Sequence, residues 1–128
     1  GVMIMLEDVT ARLASFGYTV TENDMWMLNF IIQKVENHIK NDCNVDAVPG
    51  GLYNIAVDMV VGEFLFGKKS TGQLTGFNLE ATVKQIQEGD TSVSFSGELS
   101  PEQRLDSVLN YLMTYGKKQF ASYRCVKW

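Results

Sequence analysis

Residues 51–69 read GLYNIAVDMVVGEFLFGKK, and the spread of apolar side chains through this stretch decides the fold. Pro49 stands just ahead of it, and proline suits the first turn of a helix because its φ is preset and the missing amide hydrogen has no partner there. On a helix, Leu52, Tyr53, Ile55, Ala56, Val57, Met59, Val60, Val61, Phe64, Leu65 and Phe66 occupy nearly the whole circumference. A helix apolar all round is a buried one, so the other segments are expected to pack about residues 50–66. Asn54, Asp58 and Gly62 are the exceptions, at i, i+4 and i+8, and they trace one narrow polar or small stripe.

Upstream, Met5 or Leu6, Val9, Leu13 and Phe16 repeat at helical spacing with Glu7, Asp8, Thr10 and Arg12 between them, predicting an amphipathic helix over 3–16 that ends at Gly17. Thr21 with Asp24 three residues on is a helix start, and Glu22 and Asp24 suit the positive end of the helix dipole. A second helix is predicted over 22–41. Its inward stripe is Met25, Leu28, Ile31, Ile32, Val35 and Ile39, widened by Trp26, Met27 and Phe30, which leaves Gln33, Lys34, Glu36, Asn37 and Lys40 for solvent. His38, the single histidine, has no partners for a metal set or a nucleophile–base pair and reads as a surface side chain. Asp42, Asn44 and Asp46 imitate a calcium loop, but Ala47 stands where its glycine is needed and Tyr53 where its bidentate Glu should be, so 41–48 is read as a helix end and a loop.

Downstream, 68–76 (KKSTGQLTG) is loop-like. Thr82, Val83 and Ile86 lead into Glu88-Gly89-Asp90, after which Thr91, Val93 and Phe95 alternate with serines, predicting a β-hairpin of about residues 81 to 95. Leu79, Val83 and Ile86 fit a helical stripe as well, which leaves the first arm open. Ser100-Pro-Glu-Gln103 is a complete helix start, and Leu105, Val108, Leu109, Leu112, Met113 and Phe120 give that helix its inner face, widened by Tyr111, Tyr115 and Tyr123. Gly116 is a candidate break, with 117–128 a shorter helix or an arm. The fold expected is therefore mainly α, a single domain over 1–128, with three or four helices around a buried central helix and one hairpin insertion.

The 128 residues suffice for a core without disulfide staples, and the net charge is −4 with scattered cations, which disfavours a grip on DNA. Cys43 and Cys125 stand alone and read as reduced thiols. Asp58, Gly62 and Glu63 interrupt the central stretch, which is too short and mixed to span a membrane. Gly1 reads as a residue left by tag cleavage. An enzyme is not expected: Asp58 and Glu63 lie about 140° apart on a helix, a poor arrangement for paired carboxylates. Asp58 reads instead as a structural ion-pair group, with Arg12 or Arg124 as its partner.

The small helical pattern, the segment His38-Ile-Lys-Asn-Asp-Cys-Asn44 followed by Val48-Pro49 and the buried helix, and Glu88-Gly-Asp-Thr-Ser-Val-Ser-Phe95 before a final helix together resemble the head–tail connector, or adaptor, proteins of long-tailed bacteriophages and prophages. The resemblance implies a structural virion protein made in the bacterial host cytoplasm. It implies a homo-oligomeric ring, a dodecamer in that family, between the portal protein and the next tail-joining or stopper protein. DNA would pass through its channel without specific binding, and neither cofactor, metal nor catalytic residue comes with the family. Two segments are the candidate interfaces: the hairpin tip Glu88, Gly89, Asp90, Thr91 and Ser92, and the arm Arg124, Val126, Lys127 and Trp128, whose Trp and Arg are types enriched where one protein anchors in another. For Trp128, packing on the domain's own core is the equal alternative. A small helical DNA-binding regulator of a prophage is the rival function, though no basic recognition helix is present.

Val60→Asp is expected to abolish soluble folding, because it places an unpaired charge inside the central helix. Soluble yield and circular dichroism check this, and a variant melting like the parent would overturn the central-helix assignment.

Overall fold

A computed structural model describes residues 2–46, 48–72, 77–89, 100–116 and 120, and among them lie five α-helices: α1 (Val2–Ser15), α2 (Glu22–Cys43), α3 (Tyr53–Ser70), α4 (Leu79–Gly89) and α5 (Pro101–Thr114). A 3-10 turn, Gly50–Leu52, leads from Pro49 directly into α3. Helix α3 is the hub: α5 packs on it most extensively, then α2, then α1. Ile55, Ala56, Val57, Met59, Val60, Val61, Gly62, Phe64 and Leu65 are all buried in it, as its circumferential apolarity requires.

Local chemistry sets the boundaries. Gly17, at φ 90, ends α1 in the left-handed region, where a Cβ is costly, and the Tyr18 amide donates back to the Leu13 carbonyl at 2.9 Å. Asn44 takes the same conformation, φ 57, at the end of α2, and its amide donates to the Lys40 carbonyl. The calcium-like Asp42–Asp46 run is thus a helix C-cap, and no group of three or more metal-ligating side chains occurs among the described residues. Ser100 and Gln103 form the expected reciprocal cap on α5, with bonds of 3.2 and 3.0 Å.

The small stripe on α3 has a steric role. A Cβ on Gly62 would lie 2.9 Å from Leu112 Cβ and from Met113 Cγ, so glycine lets α5 approach α3 at this crossing. Two residues past the end of α5, Gly116 gives the same kind of clearance to Ile55. Asp58, between these contacts, meets Arg12 of α1, and Asn54 is exposed.

Two expectations are corrected. The hairpin of residues 81 to 95 does not form, because 79–89 is helix α4 and supplies no strand; residues 90–95, its second arm, lie outside the described residues, and no strand occurs among those described. The Asn78 side chain accepts from the Ala81 amide at 3.0 Å, and the Thr82 hydroxyl donates to the Asn78 carbonyl at 2.8 Å. This N-cap starts the helix, and Val83 and Ile86 are buried along its inner face. The second correction concerns α2: Trp26 is 78% exposed and Phe30 58%, so they do not widen its inner face, and Met25, 36% exposed, does not belong to the inward stripe. Trp26 precedes Leu28 by two residues, about 200° around the helix, and points away from the core that Leu28, Ile32, Val35 and Ile39 fill.

Gly62→Val is expected to lower stability by at least about 2 kcal/mol, since overpacking at a helix crossing exceeds any gain in helix propensity. Chemical denaturation checks this, with exposed Asn54→Ala as a control that stays near the parent.

Candidate interaction surface

Three groups of polar or exposed side chains stand out on the helices. The first is built on Asp24, which is only 2% exposed. Its carboxylate receives the Lys68 ammonium of α3 at 2.6 Å, the Tyr18 hydroxyl at 2.9 Å, and the Thr21 amide and hydroxyl at 3.1 Å each. The Thr21 hydroxyl thus donates to the carboxylate within the reciprocal cap that starts α2. Burial pushes the Asp24 carboxyl up, but the bonds from Lys68, Thr21 and Tyr18 outweigh it and hold the group below the usual carboxylate value. Burial, then the bond to Asp24, pushes the Tyr18 phenol up to about 12. The set ties the α1–α2 turn to the last turn of α3.

The second group centres on Asp58. Arg12 Nε donates to Oδ1 at 3.2 Å and the Tyr115 hydroxyl to Oδ2 at 2.7 Å, joining α1, α3 and the end of α5. Arg12 was one of the two partners expected for Asp58. Its guanidinium also lies over the Phe16 ring, 4.8 Å from the centroid. Burial, then the Asp58 charge, pushes the Tyr115 phenol up. Both carboxylates are thus saturated by donors from neighbouring helices, an arrangement that fixes helix positions.

His38 is exposed, with its ring centroid 6.0 Å from that of Phe120, and the buried Cys43 thiol donates to the Phe120 carbonyl at 3.5 Å. The chain at Phe120 thereby returns to the C-terminal half of α2, as its assignment to the core required.

The third group is the outer face of α2, where the rings of Trp26 and Phe30 stack at 6.0 Å between centroids and 13° between planes. Phe66 of α3, 48% exposed, adds a further uncovered aromatic. The candidate interface residues from the sequence are placed differently: Glu88 and Gly89 close α4, whereas Asp90, Thr91, Ser92, Arg124, Val126, Lys127 and Trp128 lie outside the described residues. The α2 aromatics went unrecognised as a surface because their type was weighed and their angle on the helix was not.

No family model, curated protein or solved structure matches this chain. What the structure offers is the surface itself: two stacked, exposed aromatic rings beside polar side chains on the outer face of α2. No described helix is long and apolar enough to cross a membrane.

Asp24→Asn removes the buried charge that faces half-buried Lys68 and is expected to destabilise the fold by about 3 kcal/mol at neutral pH. Asp24 has its native carboxyl value depressed, so its stabilisation is present above the unfolded value near 4 and is lost as pH falls through the lower folded value. Denaturation midpoints taken from neutral pH down through pH 4 should therefore fall less steeply in the variant than in the parent.

Proposed function

We propose that the protein is a structural assembly subunit without catalytic activity, and that the assembly is the head–tail joint of a long-tailed bacteriophage or prophage. The observation that carries the first part is the uncovered aromatic pair Trp26 and Phe30, which a monomer complete in itself has no reason to hold stacked in solvent. The mainly helical architecture and the hub-like α3 agree with the helical subunits of connector rings, and the motifs His38–Asn44 and Glu88–Phe95 carry the resemblance to that family. In this reading copies form a ring against the portal protein, the stopper protein binds below, and DNA slides through a channel that the acidic balance keeps from gripping it. The residues proposed for portal or neighbour contact are the α4 end with the segment after it, 88–92, and the arm 124–128. The site of action is then the virion.

Electron microscopy of the purified protein alone and with portal rings is expected to show ring-shaped particles. Truncation after Tyr123 should keep helical content and melting behaviour but lose co-sedimentation with portal rings. A salt-dependent gel shift on duplex DNA, with no portal association, would instead favour the regulator.

A further inference from the structure

The exposed face of α2 is nearly palindromic. Counting outward from Leu28, Trp26 and Phe30 lie two residues to either side, Asn23 and Gln33 five, and Glu22 and Lys34 six. All six are exposed, and at 100° per residue they fall within about 120° of one another on the helix. The pattern runs acid, amide, aromatic, aromatic, amide, base.

We infer that this face pairs with the same face of a second copy, the two α2 helices antiparallel about a two-fold axis beside residue 28. A two-fold contact is isologous, so each residue must suit its mirror position in sequence, and these three pairs do so. Trp26 of one copy meets Phe30 of the other. Asn23 faces Gln33, whose amides donate and accept in either orientation. Glu22 faces Lys34, so the two ends of the contact carry opposite charges and both ion pairs form at once. In a parallel arrangement like would face like, with Glu22 on Glu22 and Lys34 on Lys34, and the charges oppose it. Lys34 is already held by Glu63 of its own chain but keeps a side chain 60% exposed, so it is accessible to a second carboxylate. The contact covers about three and a half turns of helix, a length that an antiparallel pair at a shallow crossing keeps in register. The pairing extends the view of the protein as an assembly subunit and is independent of the phage reading.

Charge exchange tests both partner and register. Sedimentation equilibrium of the whole chain should show a dimer. Glu22→Lys, which sets lysine against lysine, should weaken it about tenfold, and Lys34→Glu should do the same with two acids. The double variant E22K/K34E restores opposite charges and should recover most of the loss, an outcome that a merely structural role for either residue cannot give. Trp26→Asp, at an exposed position that leaves the fold intact by circular dichroism, should weaken the dimer at least about 100-fold. A parent that stays monomeric up to about 100 times the micromolar range typical of weak pairs overturns the proposal. A dimer indifferent to Trp26→Asp overturns it too, and so does one whose double charge variant is no tighter than the single ones. Rings on portals together with a monomeric free protein would sink this pairing and leave the connector reading standing.

Discussion

Helix α3 must be covered on most of its circumference. Its 18 residues carry apolar groups around nearly the whole circumference, and a helix of that composition left exposed along one flank would forfeit the burial of several large side chains. Each of Val60, Val61, Phe64 and Leu65 is fully buried and contributes about 1.5–3 kcal/mol. The positions of α1, α2 and α5 follow from this demand. The glycine at 62 sets how near α5 comes, and Asp58, the charged group at the middle of the helix, sets where α1 and the end of α5 must bring their donors.

The polar groups therefore act as registers on an apolar scaffold. Exposed pairs such as Lys34 with Glu63 add at most about 1 kcal/mol, because water and salt screen them. The Asp24 cluster differs in kind: a buried carboxylate is stable there only with Lys68, Tyr18 and Thr21 all in place, so sliding α2 along α3 by one turn would strand a charge. Tyr18 couples the same cluster to alkaline conditions. Its raised phenol contributes stability below the unfolded value near 10, and that contribution disappears as pH climbs through about 12.

Much of this was legible in the sequence, and the failures have a common cause. Helical periodicity and cap residues located α1, α2, α3 and α5 because each signal is local. The Arg12–Asp58 pair was legible too, since a charge inside a buried helix needs an opposite partner. Helix α4 was missed because the alternation of Thr91, Val93 and Phe95 drew 81–88 into a strand pairing, while Asn78, whose side chain caps the helix, was not weighed as a start signal. Trp26 and Phe30 were assigned to the core by hydrophobicity alone. Their angle from Leu28 was available, but only the finished packing shows that Leu28, Ile32, Val35 and Ile39 leave no room beside them.

Symmetry then limits how the α2 face and a connector ring coexist. A ring about a channel repeats one heterologous contact, in which each copy offers two different surfaces, whereas a face that matches itself closes at two copies. The paired α2 helices therefore cannot be the contact that propagates a single ring. If the proposed ring and the proposed pair are both real, either the pair parts before the ring closes, with the portal-side contacts outweighing it, or two rings meet face to face and each α2 pairs across the plane between them. The first case makes the dimer a soluble reserve that hides Trp26 and Phe30 until assembly, and mass action then ties ring formation to how weak that pair is. A face of only two aromatics with an ion pair at each end suits such a role, since it is large enough to exclude water and small enough to release.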